Sequence, residues 1–494
     1  MSRFPPLWQH DRGNCPVRLV PGLPVFSSTA GQAFQPLRNL PRFAGNIQGT
    51  SLVKSASLPR TIAIIAVVAL PLALAGCKHQ SKLRQPRQRD FSRYGKLSGL
   101  RRVTNPRLRD ELARLEQEGA TPEQLSRVEL PEADNAAAVI RQLFPAKKLA
   151  DLAAQSEAFL PEPGKPLEGI ALERASQFYD EHRAAVERAR DALRRRRCEL
   201  HVDYMQGFAA DLSSIDDIVI DVRLESFKAA EHLAANDPES AVEPLSFMFQ
   251  LIECLANVKL VEARLQAAFL RSEALETIHW TATHPAATRD LHDRLFELVQ
   301  EQLANWPDDA WAWIGDRAVG LHAYEVIRDG KIRWLLNDEE IAMLNDEQIL
   351  SQLTHPDSKV LAADELYYLD TMRGMIDVCS QPYFKRRQFF ETLRRDLQRR
   401  RNDQDFPLVA ARILLKDVEN GHIIQARDRT LCEAWSIALA VAAGRPRPGY
   451  EVNPLSGERY RVVITDDQVA VWNIGNGEPG DEYPVIVPYH RKRP

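Results

Sequence analysis

The chain has 494 residues, 44% of them hydrophobic and 27% charged, with a formal net charge of −4. That length allows two or three domains of usual size, and the composition excludes a fibrous, collagen-like or wholly disordered protein. Residues 1–77 carry seven basic side chains against one acid, and residues 78–110 carry eleven against two, which leaves −19 on residues 111–494. A basic amino-terminal stretch on an acidic body argues against nucleic acid as a partner, because phosphate binding needs a basic surface on the body itself.

Residues 1–52 are rich in Pro, Gly, Arg and Ser, hold Asp11 as their one acid, and show no hydrophobic period. They read as a disordered leader or as residues outside the protein proper. No Met lies between Met1 and Met205, and Leu52 and Val53 stand just before Lys54. Translation is therefore expected to begin near Val53. From there the chain reads VKSASLPRTIAIIAVVALPLALAGC. Lys54 and Arg60 form a short basic region, Ile62–Leu74 an apolar run, and Ala75 and Gly76 place small residues before Cys77. That order is the layout of a secretory signal, assigned here to residues 53–76. The run is shorter than the roughly 20 residues a spanning helix needs, and Pro71 interrupts it.

Leu74-Ala75-Gly76-Cys77 resembles the bacterial lipobox. The resemblance implies a diacylglyceryl group on the Cys77 thiol, cleavage before Cys77, and usually acylation of the new amine. Two or three acyl chains anchor far better than one, since each buried methylene adds about 0.8 kcal/mol. The expected partner of this segment is a membrane, held through the lipid at Cys77, and the expected compartment is the cell envelope. Lys78 stands where an Asp would, by analogy with proteobacteria, favour the inner membrane. The outer membrane is thus slightly favoured.

Residues 77–133 read as a lipid-anchored basic tether with short helices. It is either a solvated linker or a contact for anionic headgroups, each basic residue near the surface adding about 1 kcal/mol. Within it, a helix is expected to end at Gly119 and another to open at Thr121-Pro122.

Residues 134–446 predict an α-helical domain: an antiparallel helical array, of which a solenoid is one form. A helix is expected behind Asp134 or Asn135 as cap. Over 170–197, Leu172, Ala175, Tyr179, His182, Val186, Ala189 and Leu193 alternate at spacings of three and four, which places them on one helical face. His182 on that face is expected to pack, not to ligate. Arg194–Arg197 close the helix, where cations suit the dipole. Residues 239–280 are apolar on nearly every side and are expected at the centre of the core. Helices of about 15 to 20 residues then follow, with breaks at WPDD, RDGK, THPD and SQPY. WPDDAWAWIGDRA has a tetratricopeptide flavour, but no fixed period supports that class.

Residues 447–494 change character. Tyr460–Ile464 alternates, Asp466-Asp467 turns the chain, Val469–Ile474 runs back, and YPVIVP offers a third strand. A small antiparallel β element on the last helix is expected, so the fold class is mainly α with this addition. Asn453-Pro454, Gly457, Tyr460 and Gly475-Asn476-Gly477 resemble the carboxy-terminal pattern of type II secretion pseudopilins, with Asn453 in place of the usual Asp. That resemblance implies a loop able to hold calcium through oxygens, here Asp466, Asp467, Asn476, Glu478 and Asp481. A solvated acidic turn is the preferred reading. The chain has no pilin-type amino-terminal helix. LPEADNAAAVIRQLF, CELHVDYMQGF, GDRAVGLHAYEVIRDG and EAWSIALAVAAG are similar, in the same order, to segments of exported helical proteins of planctomycete-like bacteria. This second resemblance implies a fold and no mechanism.

The chain holds no HExxH, GxSxG or P-loop motif. His279 and His284 are five apart, off one helical face, with no third ligand near. Asp217, Asp221 and Glu225 share a face at spacing four. That could bind a metal, but a solvated or salt-bridged face is expected. Gly315-Asp316-Arg317 suggests a buried ion pair made with other helices, with a ligand-binding Arg as the alternative. Cys198, Cys254, Cys379 and Cys432 form no CxxC pair. Export permits disulfides, yet isolated Cys residues in apolar helices are expected to be buried packing groups. No catalytic, cofactor-binding or metal residue is assigned. The expected function is that of a non-catalytic envelope scaffold or binding protein for a protein or peptide partner. A hydrolase with an unrecognised site, or an accessory part of a secretion or pilus-like apparatus, stands second.

Overall fold

In the computed structural model, residues 91–96, 103–128, 130–161, 164–336, 341, 347–400, 408–475 and 484–488 are described. Fourteen α-helices lie among them. In chain order they are α1 Pro106–Gln117, α2 Pro122–Leu125, α3 Ala137–Ile140, α4 Leu149–Ala158, α5 Gly169–Arg195, α6 Ser213–Ala234 and α7 Val242–Ala256. Then come α8 Val261–Ala282, α9 Arg289–Ala304, α10 Asp309–Arg328, α11 Glu347–Thr354, α12 Ser358–Val378, α13 Tyr383–Arg400 and α14 Val418–Ala442. The expected breaks at WPDD, RDGK, THPD and SQPY fall between helices.

Local chemistry sets the ends. Asn105 accepts from the Leu108 amide at 3.3 Å, and Pro106 follows as first helical residue. Thr121 and Gln124 form a reciprocal capping box around Pro122. Gly119, at φ +70°, turns the chain between α1 and α2. The helix expected behind Asp134 or Asn135 is a single turn. Asn135 caps it through the Ala137 amide at 3.0 Å and also donates to the Glu199 carbonyl at 2.8 Å.

Apolar faces build two large clusters. One gathers α3 to α9 with α14 and the sheet; the other gathers α1, α10, α12, α13 and residues 409–415. Both α10 and α14 contribute to each, so the clusters are two sides of one packed body. In α5, Ala175, Phe178, Tyr179, Val186 and Ala189 face inward, close to the expected face. Residues 239–280 are indeed core, as two helices, α7 and α8, reversed by residues 257–260. Helix α14 returns to pack on α8 and α9, far earlier in the chain. Residues 103–125, within the segment read as a tether, belong to the second cluster through Val103, Leu108, Leu112 and Leu115.

Three strands, β1 Arg461–Ile464, β2 Gln468–Trp472 and β3 Val485–Pro488, form an antiparallel sheet in that order. Val469, Val471 and Val487 are fully buried, on the face that meets α14. The fold is thus mainly α with a small carboxy-terminal sheet, as expected. Among the described residues no helix is long and apolar enough to cross a membrane.

One expectation is overturned. Cys198 and Cys254 are joined as a disulfide, with Cα atoms 5.5 Å apart and a sequence separation of 56. The link ties the chain just after α5 to α7, a pairing that only the helix packing creates. Cys379 and Cys432 are free and buried.

Candidate functional site

Leu74, Ala75, Gly76 and Cys77 lie outside the described residues. What is described begins at Phe91, with thirteen residues between it and Cys77. Phe91 and Tyr94 are buried with Val326 against Trp334 and Leu335. His322 Nε2 donates to the Phe91 carbonyl at 3.1 Å. The Tyr94 hydroxyl accepts from Lys331 Nζ at 2.9 Å and donates to Asp329 at 3.1 Å. Lys331 also sits 4.3 Å from the Trp334 ring centre, a cation–π distance. Beside this clip a shallow cleft is lined by Tyr94, Lys96, Thr121, Pro122, His322 and Glu325. No sequence motif announces it, because the aromatic residues are spread over three separate stretches.

The acidic column on α6 is salt-bridged at Glu225, as expected, but it is not the solvated face that was the other expectation. Asp217, Asp221 and Glu225 are each 1% exposed, not solvated. Glu225 accepts from Arg190 Nε at 2.7 Å and from the same guanidinium through its second oxygen. Among the described residues neither oxygen of Asp221 meets a hydrogen-bond partner. Burial raises its pKa well above the ordinary carboxylate value, and the Glu225 charge adds to the rise. Burial also pushes Asp217 up to about 7, against a hydrogen bond from the Phe144 backbone. One arginine thus pairs with the column at Glu225, and burial biases Asp217 and Asp221 towards the protonated form. Among the described residues no group of three or more His, Cys, Asp or Glu is placed to hold a metal ion.

The residue types of nucleophilic catalysis do meet, deep between α10, α12, α13 and α14. His422 stacks on Trp313 at 4.2 Å, and its Nδ1 accepts from Arg386 at 3.2 Å. Cys379 Sγ lies 4.0 Å from that nitrogen. Arg386 donates to Asp309 at 2.8 Å, and Arg264 reaches the same carboxylate at 3.2 Å. A working Cys–His pair needs a thiolate and an imidazolium. Here burial pushes the thiol up to about 12 and, with the Arg386 charge, the imidazole down to about 3. Both groups stay neutral, and His422 is 0% exposed. The cluster is packing chemistry. No local motif could have announced it, since its members come from four helices.

The remaining candidates resolve into structure. A Cβ on Gly315 would fall 1.4 Å from the Lys259 carbonyl, so glycine lets the α7–α8 turn lie against α10. Asp316 then accepts from the Val261 amide at 3.0 Å, capping α8 from another helix. Arg317 meets Glu118 at 3.6 Å. The expected ion pair thus holds for Arg317, while the partner of Asp316 is a backbone amide. His182 packs between Phe144 and Phe178. His279 lies against Trp280 and Trp435, and His284 accepts from the Ala286 amide at 3.2 Å. Arg194 pairs with Glu243 at 2.9 Å, and Arg195 with Asp191 at 2.7 Å.

Asn453 explains the tail. It is fully buried, accepts from Leu455 and Ser456 amides and the Thr430 hydroxyl, and donates to Asn473 and Gly475 carbonyls at 2.9 and 3.0 Å. An ionised Asp has no proton to donate there, which accounts for an amide at this position. Tyr460 donates to Glu433 at 3.0 Å. Asp466 and Asp467 occupy the exposed β1–β2 turn, and Thr465 donates to Asp467 at 2.6 Å. Asn476, Glu478 and Asp481 lie outside the described residues. Compared with known proteins, the chain matches no family model, no curated protein and no solved structure.

Proposed function

We propose that the protein is an exported lipoprotein of the cell envelope, anchored through acyl chains on Cys77, whose helical body acts as a scaffold or binding protein. The observation that carries this reading is the order of basic region, apolar run and Leu74-Ala75-Gly76-Cys77. The Cys198–Cys254 disulfide supports it, because such bonds persist in oxidising compartments and are rare in reducing ones. Binding rather than turnover is favoured by the state of the Cys379–His422 cluster, whose groups are buried and held neutral. The partner is a protein or peptide that meets the body, and the membrane is engaged through lipid. The outer membrane is favoured over the inner by Lys78.

Mass spectrometry of the mature amino-terminal peptide tests the reading, from native protein and from Cys77→Ala. A chain beginning at Cys77 with added acyl mass, lost in the variant, is the expected result. An unmodified chain that retains residues before Cys77 overturns it.

A further inference from the structure

The carboxy-terminal sheet ends on one side in β1, and the hairpin fixes which backbone groups lie on that edge. The Thr465 amide donates to the Gln468 carbonyl at 2.9 Å, across the turn Asp466-Asp467. Bonded pairs alternate along an antiparallel ladder, so Val463–Ala470 and Arg461–Trp472 are the next to exchange bonds. The amides and carbonyls of Val462 and Ile464 therefore point away from β2, and among the described residues they meet no hydrogen-bond partner. Such an edge is a template for another strand. Its side chains are apolar as well: Val463 is 40% exposed and Ile464 52%. No Pro, charge or bulge lies within Val462–Ile464. We infer that this edge pairs antiparallel with β1 of a second copy of the chain, about a two-fold axis at Ile464. The inference does not depend on lipid at Cys77.

Charge selects the occupant. Arg459 and Arg461 stand before the apolar stretch and Asp466 and Asp467 after it, all four exposed. A strand with cations at one end and acids at the other is complementary to its own antiparallel copy. Local structure then selects the register. A two-fold axis normal to the sheet sets one residue opposite itself. The Tyr460 amide already donates to the Glu451 carbonyl at 3.1 Å, and Val452 bridges to Arg459, so the edge is taken as far as Tyr460. An axis at Val462 or Val463 would drive the hairpin of the second copy into Glu451. An axis at Ile464 clears it. There the two Ile464 residues exchange both backbone bonds, Val463 lies beside Thr465 of the second copy, and Arg461 comes up against its acidic turn. The other exposed acids of the element, Glu451 and Glu458, lie at and before Tyr460, outside the paired stretch. So short a pairing makes a reversible, concentration-dependent dimer.

The test is sedimentation velocity of the mature protein in detergent, with micelles in excess, over a micromolar concentration series. Expected is a monomer–dimer equilibrium. Ile464→Pro should abolish it at unchanged Tm, because that amide faces outward and its loss takes no bond from the hairpin. Ile464→Lys, which places a charge on the axis, should do the same. Arg461→Glu should weaken dimerisation about tenfold, and Asp467→Arg in the same chain should restore it. A short bis-maleimide should link two copies through Ile464→Cys and not through Val128→Cys, a site 61% exposed elsewhere on the body. A parent that stays monomeric throughout the series overturns the inference. So does a dimer that survives both Ile464 substitutions, since the copies then meet elsewhere. A monomer in isolation whose position 464 is protected from labelling in envelope membranes assigns the edge to a different chain, and the inference falls.

Discussion

Removing the disulfide gives the most direct energetic test of the packing. The Cys198–Cys254 link closes a loop with a sequence separation of 56. In the chain-entropy account, closing a loop of that length removes about 14 cal/mol/K from the unfolded ensemble, about 4 kcal/mol at 25 °C. Spread over a body of roughly 380 residues, whose unfolding entropy is about 0.8 kcal/mol/K, that is a fall in Tm of about 5 °C. The assay is urea and thermal unfolding of the Cys198→Ser/Cys254→Ser double variant beside the parent, with and without reductant. Reductant should lower the parent towards the variant and leave the variant unmoved. A double variant within about 1 kcal/mol of the parent would refute the entropic reasoning. Alkylation of both thiols in denatured, unreduced protein from its natural compartment would refute the bond itself. Because Cys379 and Cys432 are buried and free, neither should take over the pairing in the intact fold.

Three substitutions probe the buried polar groups. Asp221 has a folded pKa raised above its unfolded value, so the folded state holds the proton longer and stability falls as pH rises from about 4 through the folded pKa. Asp221→Asn should remove that slope, gaining on the parent progressively above pH 4; parallel stability curves from pH 4 to 8 would contradict it. Glu225→Gln leaves the buried Arg190 guanidinium with only the exposed Glu187 carboxylate, at 3.6 Å, as counter-charge, and should cost about 3 kcal/mol in denaturant unfolding. Asn453→Asp removes two donated hydrogen bonds from buried or half-buried carbonyl sites and should cost about 2–4 kcal/mol. Its hydrogen exchange should rise first in residues 461–475, and exchange spread evenly over the helices would argue against the local role.

How much could be read from the residues alone depended on the kind of signal. Helix breaks were legible because Gly330, Pro356 and Pro382 punctuate the chain locally, and the sheet was legible because Arg461–Ile464 and Gln468–Trp472 alternate around a polar turn. The burial of Asp217, Asp221 and Glu225 was legible too, and was misread. Ile218, Val219, Ile220, Val222 and Leu224 surround them on every side of α6, and a helix apolar all round has no outer face for its acids. Spacing four shows that carboxylates share a face and leaves open which way the face points. The disulfide was not legible, because widely separated Cys residues do not declare a pairing. Nor was the Cys379–His422 contact, which joins the residue just past α12 to one 43 positions later on α14.

The same logic gives the buried charges a shared role. Helices such as α6, α7 and α8 are apolar over most of their surface, and apolar contact alone leaves register and partner weakly specified. Each buried pair crosses a different interface: Arg190–Glu225 joins α5 to α6, Arg223–Glu273 joins α6 to α8, and Arg264–Asp309 joins α8 to α10. Arg271–Asp428 joins α8 to α14, Arg328–Glu365 joins α10 to α12, and Arg386–Asp309 joins α13 to α10. Desolvation offsets most of the attraction in such pairs, so they add little net stability, whereas a register that separates them leaves a charge buried and unpaired. With α8 in three of these six, that helix is where a slip would break the most of these pairs at once. The charges thus act against wrong packings more than for the right one, which is the requirement of a body built from long apolar helices.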